Sequence, residues 1–206
     1  SNRDHTTVIH AVKKIDELLK TTTKTHILGF VTSASAGNQV RMELEKRIQA
    51  APNNYPEKPW IVIFHRGTNE ADTQFLLSEE AVSSKYPGKT RRVILSTNVA
   101  EFGVTFPKDA AGYEMVYVID SGLEYEDSYD PKTMARCLTE EPIAQSAVKQ
   151  RRGRSGRTQP GICYHLYTQS FSNNLQEYPT PSIQKSDITS DMLDLMKLEY
   201  IKNIGD

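Results

Sequence analysis

Apolar residues recur at three- and four-residue steps through Val8, Ile9, Val12, Ile15, Leu18 and Leu19, which predicts an amphipathic helix from about His5 to Leu19. A short apolar run, His26 to Val31, reads as a buried strand. Val40, Leu44 and Ile48 then stand at four-residue intervals among charged neighbours, marking a second helix that the Pro-rich stretch Pro52 to Pro59 ends. Trp60 to Phe64, Arg92 to Ser96, Met115 to Asp120 and Ile162 to Tyr167 read as further strands, with helices over Asn69 to Ala81 and from Ile143 to Gln150 into the arginines that follow. Strands rich in Ile and Val that alternate with helices predict an α/β fold with a mostly parallel sheet covered on both faces. Ligands on such sheets sit at the carboxyl ends of the strands.

Composition narrows the reading. A chain of 206 residues with 37% hydrophobic content fits one complete domain plus an appendage. With 25 basic and 26 acidic residues, nucleic-acid binding has to rest on local patches. Cys137 and Cys163 form no CxxC and have no His at metal spacing, so free thiols and no metal site are expected. No apolar run approaches the roughly 18 residues of a membrane span and no secretory signal opens the chain, so an intracellular protein without a membrane partner is expected.

The densest chemistry lies in QRRGRSGR, Gln150 to Arg157, with four arginines and two glycines in eight residues. On a continuous helix, Gln150, Arg154 and Arg157 would fall within an arc of roughly 60° and address one target. Two permanently charged planar forks suit a phosphate chain. Gly153 and Gly156 suggest close approach of backbone or ligand. Taken alone, the cluster would read as a solvated basic patch or a nuclear localisation run.

Its neighbours give it a context. RRVILSTNVAEFGVT (Arg91 to Thr105) and VYVIDSG (Val116 to Gly122) resemble motif V of the superfamily 2 DEAH-box (DEAH/RHA-type) RNA helicases. YDP (Tyr129 to Pro131) and EPIAQSAVKQRRGRSGRTQPGICYHLY (Glu141 to Tyr167) resemble the approach to motif VI, motif VI itself and the strand after it, and HILGFVTS (His26 to Ser33) is similar to motif IV. The resemblance runs in the family's order from about His26 to Ile188. It implies the second RecA-like domain of an NTP-dependent RNA helicase, residues 1–170, followed over 171–206 by a linker and the opening of a winged-helix domain.

What this resemblance implies for residues is specific. Arg154 and Arg157 stand where the family places arginine fingers, and Gln150 where it places a glutamine near the γ-phosphate and attacking water. Gly153, Gly103 and Thr105 fall on the nucleotide side. Thr32 and Ser33 fall where the family contacts the backbone of single-stranded RNA, DNA being the alternative; Thr97 and Asn98 of motif V follow a strand's carboxyl end, where a hydroxyl, an amide and free N–H groups can bind an RNA phosphate, and Arg66 sits at a similar strand end. A Thr-Asn pair can also cap a following helix. Arg151 reads as structural or RNA-proximal, Arg152 as an exposed charge, Asp120 and Glu101 as caps or salt-bridge partners, and Phe75 as a core residue or a base-stacking one. ATP or another NTP with Mg2+ would be held mainly by a first RecA-like lobe carrying the phosphate loop and acidic box, neither of which this sequence contains. Gly88-Lys89-Thr90 imitates the end of a phosphate loop, but Ser83 replaces the required glycine, and Lys89, Arg91 and Arg92 read as a solvated or RNA-facing charge run.

Departures matter as well. Glu101-Phe102-Gly103-Val104-Thr105 stands where the family has Glu-Thr-Ser-Leu-Thr, so a hydroxyl expected near metal and water is missing at Gly103. Pro107 to Gly112 reads as an insertion. Both lean toward viral relatives of the flavivirus and poxvirus types. From Pro179 the tail shows a helical stripe, Ile188, Met192, Leu195, Met196 and Leu198, that one helix cannot bury alone. Alone, the chain is expected to be inactive, supplying half of an active site. The competing reading is a non-catalytic RNA-binding module. Such a module never meets a γ-phosphate and has no chemical need for Gln150, Arg154 and Arg157 together.

Overall fold

The computed structural model describes residues 2–130, 132–156 and 159–197. The chain opens with helix α1 (Asn2–Thr21), strand β1 (Thr25–Phe30) and helix α2 (Ala34–Ala50), followed by β2 (Pro59–Phe64), the short helices α3 (Glu70–Leu77) and α4 (Val82–Lys85), and β3 (Arg91–Ser96). Next come β4 (Glu114–Asp120), the strands β5 (Leu123–Asp130) and β6 (Ala135–Pro142), helix α5 (Gln145–Arg152), β7 (Ile162–His165), α6 (Gln169–Asn173) and α7 (Thr189–Met196). Five strands form one sheet in the order β2-β3-β1-β4-β7, every pair parallel. This is the doubly covered RecA-like sheet expected from the alternation of Ile- and Val-rich strands with helices.

Alternating side chains divide the core between the two faces. Ile27, Ile61, Val93, Leu95 and Ile119 pack on one side with Val12, Ile15, Leu19, Val40 and Leu44 of α1 and α2. Leu28, Phe30, Val62, Phe64, Ile94 and Val118 pack on the other with Phe75, Leu76, Val82 and Phe106. Phe75 is therefore a core residue, 5% exposed and edge-on to Trp60. All five strands point the same way, so their carboxyl ends share one edge. The register sets Phe64, Ser96, Phe30, Asp120 and His165 in a single row along it.

Four expectations need correction. The predicted helix Asn69 to Ala81 is two: α3 stops at Leu77, where the Ser78 hydroxyl turns back to the Phe75 carbonyl at 3.0 Å, and α4 starts afresh. The antiparallel ribbon β5–β6 was not expected at all. Arg91 and Arg92 are not a solvated or RNA-facing run, because both are fully buried. Arg91 donates to the carbonyls of Thr22 and Thr25, and Arg92 to those of Leu76, Ser78 and Glu80, so each stitches neighbouring loops to the start of β3. Finally, α5 does not run on through the arginines. It ends at Arg152 with Gly153 as its cap, so Gln150 and Arg154 are not aligned along one helix face. No described helix is long and apolar enough to cross a membrane.

Candidate nucleotide and nucleic-acid interface

The loops that leave the row of strand ends carry most of the residues singled out by the sequence. After β3, Thr97 opens a 3-10 turn, Asn98–Ala100, whose first residues are free of side-chain capping: Thr97 makes no cap bond, and the Asn98 amide lies 3.4 Å from Glu124. After β2, Arg66 is exposed. Arg66 and Asn98 line one cleft of about 670 Å³, whose other wall is the ribbon, with Glu124, Tyr125 and Leu138, and whose rim is Phe102, 66% exposed. The ribbon side of that cleft is acidic.

Motif IV sits differently. Thr32 is buried, 7% exposed, in a narrow crevice against α1, and the Ser33 hydroxyl accepts from the Ala36 amide at 3.1 Å as the N-cap of α2. Neither lines the cleft that holds Arg66 and Asn98.

Motifs V and VI are joined through Arg151, which is 1% exposed. Its Nε donates to Glu101 at 2.7 Å, one terminal nitrogen donates to Asp120 at 2.9 Å and to the Leu123 carbonyl at 3.3 Å, and the guanidinium lies over the Phe30 ring at 4.8 Å. Glu101 and Asp120 are thus salt-bridge partners rather than helix caps. Burial alone would raise the Asp120 carboxyl, but the hydrogen bond from His165 and the charge of Arg151 outweigh it and hold the group at about 2. Burial and the neighbouring Asp120 push the Cys163 thiol up to about 12, so it stays protonated and is no nucleophile.

Beyond α5, Arg154 is half-buried. One terminal nitrogen donates to the Val104 carbonyl at 2.6 Å and its Nε to the Gln150 carbonyl at 3.3 Å. It shares a small pocket of about 100 Å³ with Thr105, so the tip of motif VI lies on the end of motif V. Gly103 has φ +68 with open space where a side chain would stand, and leaves its backbone uncovered. Gln150 and Arg152 are exposed, and Gly153 closes α5. Gly156, at φ +80, lies against Gly161, where an added Cβ would come within 2.5 Å of the Gly156 nitrogen. The two glycines serve close backbone approach within the loop. Arg157 and Leu198 lie outside the described residues.

The ribbon wall escaped the sequence reading. Its signal was the alternation of Leu123, Tyr125 and Tyr129, broken at Asp127 and diluted by Glu124, Glu126, Ser128 and Asp130 between them.

No protein-family model matches the chain. The fold is similar to that of the DExH-box NTPase HrpB of Escherichia coli, with a TM-score of 0.72 at 22% identity over 91% of this chain and 21% of HrpB. In sequence, the DExH-box ATP-dependent RNA helicase DExH2 of Arabidopsis thaliana is 36% identical over 128 residues, 62% of this chain and 8% of that protein. The ATP-dependent RNA helicase DEAH11 of the same plant is 31% identical over 187 residues, 91% of this chain and 9% of its own length. The chain therefore spans less than a tenth of the length of these two relatives. By sequence and by fold, with motifs IV, V and VI in order along the carboxyl edge of its sheet, the chain belongs to the DExH/DEAH-box helicase family of superfamily 2.

Proposed function

We propose that this chain is the second RecA-like domain of an NTP-dependent RNA helicase, completing an NTP site held mainly by a first lobe and gripping single-stranded RNA by its backbone. One observation supports this above the others: Arg151 ties the end of motif V, through Glu101, to the helix that carries motif VI. A domain that must change its hold on RNA when a distant phosphate is cleaved needs such a rigid link between its two ligand loops.

Residue roles follow from the chemistry. Attack of water on the γ-phosphate builds negative charge on its oxygens, and an arginine presented from across a cleft offsets it, worth on the order of 10³ to 10⁵ in rate. Arg154, already bonded to the Val104 carbonyl and sharing a pocket with Thr105, fills that role with Arg157, and Gln150 orients the water. Mg2+ would be held mainly by the first lobe. Arg66, Asn98 and the backbone N–H groups after Thr97 meet RNA phosphates on the wall opposite the ribbon, where the carboxylates would repel them. Residues 171–206 would lead into a winged-helix domain that covers the exposed Leu193, Leu195 and Met196 of α7. Arg154→Ala in the longer protein should lower NTP turnover by about 10³ or more while changing nucleotide affinity little. Turnover at the wild-type rate would refute the finger role.

A further inference from the structure

The end of α5 that presents motif VI is held to the sheet by few contacts. α5 has eight residues and no side-chain cap at Ala144, and its first turn hangs from Gln176 and Glu177. At its other end the anchor is Arg151, and the orientation of Arg151 depends on how Asp120 is held.

Asp120 divides its two oxygens between different parts of the fold. Oδ1 accepts from Arg151 at 2.9 Å and from the Gly122 amide at 2.9 Å. Oδ2 faces Tyr167, whose hydroxyl donates to it at 2.9 Å, and the His165 Nδ1 at 3.3 Å. The Tyr167 oxygen is also 2.8 Å from that same Nδ1. Tyr167 has one proton, and it goes to the carboxylate. Nδ1 must therefore carry its own hydrogen, since a bare nitrogen would set lone pair against lone pair at both short contacts. His165 thus donates to Tyr167 and Asp120, and Tyr167 donates to Asp120. The ring of Tyr167 is seated by a specific allowance: an added Cβ on Gly122 would come within 2.5 Å of it, and Phe171 of α6 lies tilted against it with centroids 5.1 Å apart, itself 3.1 Å from that Cβ position.

We infer that Tyr167 and His165 are positioning residues for motif VI: they fix the Asp120 carboxylate, Asp120 fixes Arg151, and Arg151 sets where Arg154 stands. Both lie past motif VI in sequence. The relay makes the segment joining β7 to α6 a control point for the arginine loop. It rests on the helicase reading only for its effect on turnover; its effect on the loop is independent of that reading.

The test uses Tyr167→Phe in the longer protein, which keeps the ring and removes the proton donor, with His165→Phe as a second variant and Arg154→Ala alongside. Hydrogen–deuterium exchange by mass spectrometry should show residues 150–156 exchanging roughly tenfold faster in Tyr167→Phe, the effect of losing one hydrogen bond to a charged group, while β1 to β3 stay unchanged. In steady-state kinetics the variant should lose roughly tenfold in kcat at unchanged KM for NTP, because binding by the other lobe is intact. Unchanged exchange over 150–156 in both variants overturns the relay whatever the turnover. Faster exchange spread over the whole domain overturns it in favour of general loosening. Faster local exchange, with Arg154→Ala still turning over NTP at the wild-type rate, upholds the relay and defeats the helicase reading instead.

Discussion

Arg151 and Glu101, fifty positions apart in sequence, meet at 2.7 Å with side chains 1% and 4% exposed, and a second carboxylate, Asp120, closes on the same guanidinium. One buried cation thus satisfies two buried anions. Such a group does little net work for stability when intact, because its desolvation cost is nearly offset by its own attractions. Breaking it is another matter.

Arg151→Met should therefore cost about 3 to 5 kcal/mol, since it leaves Glu101 and Asp120 buried without a counter-charge. Arg152→Met, on an exposed neighbour in the same helix, should change stability by less than about 0.5 kcal/mol. Urea unfolding of the two variants side by side measures the contrast. Equal losses would mean that the buried network is not what holds α5.

Two glycines with similar backbone angles should respond very differently to alanine. Gly103 (φ +68) has open space at its Cβ position, so Gly103→Ala should cost only the left-handed backbone penalty, about 1 kcal/mol. Gly122 (φ +74) has the Tyr167 ring 2.5 Å from that position, so Gly122→Ala should cost several kcal/mol more through displacement of the ring. Thermal unfolding reads the difference, and comparable shifts in Tm would show that Tyr167 moves aside freely.

The sequence was legible where structure follows from one-dimensional pattern. The strands β1, β2, β3 and β4 are runs of Ile, Val, Leu and Phe buried on both faces, and such runs announce themselves. Ribbon β5–β6 is half-solvated, and its carboxylates Glu124 and Glu141 face each other across the pair, so its apolar signal is weak. Arg91 and Arg92 looked solvated because the carbonyls that receive them, of Thr22, Thr25, Leu76, Ser78 and Glu80, come from separate segments whose convergence only the fold reveals. The helical arc for Gln150 and Arg154 failed at Gly153, a residue that stops helices more readily than it continues them. Of the two readings open for Arg151, structural or RNA-proximal, the fold selects the first, since its guanidinium is buried on Glu101 and Asp120.

Acidity should destabilise the fold through His26. His26 is fully buried; its Nδ1 accepts from the Arg92 amide at 3.0 Å, which leaves the proton on Nε2, 3.4 Å from Asp109. Asp109, Arg91, Arg92 and Tyr113 are the ionisable groups around it. Burial, aided by the two arginines, lowers the His26 pKa despite Asp109. A histidine whose folded pKa lies below its unfolded value of about 6.5 takes up a proton on unfolding, so its contribution is fully present above that value and is lost as pH falls. Between pH 7 and 5 the wild type should lose up to about 1.4 kcal/mol per pH unit more than His26→Asn, which keeps an acceptor for the Arg92 amide and does not titrate. Parallel pH–stability curves for the two proteins would remove His26 from the account.

RNA binding offers the sharpest separation of the cleft's two walls. Arg66→Ala should weaken binding to any single-stranded RNA by a similar factor whatever its sequence and reduce the slope of log affinity against log salt by about 0.7, the signature of one lost phosphate contact on a single strand. Asn98→Ala should weaken binding without changing that slope, because an uncharged donor releases no counterion. On the opposite wall, Glu124→Gln should strengthen binding at low salt, since it removes a negative charge that faces the strand across the cleft, with the gain fading as salt screens the remaining field. Fluorescence anisotropy with a short uridine oligonucleotide over a range of salt concentrations measures all three. A Glu124→Gln variant that binds more weakly would place RNA against the ribbon rather than away from it, with the carboxylates accepting from base amino groups.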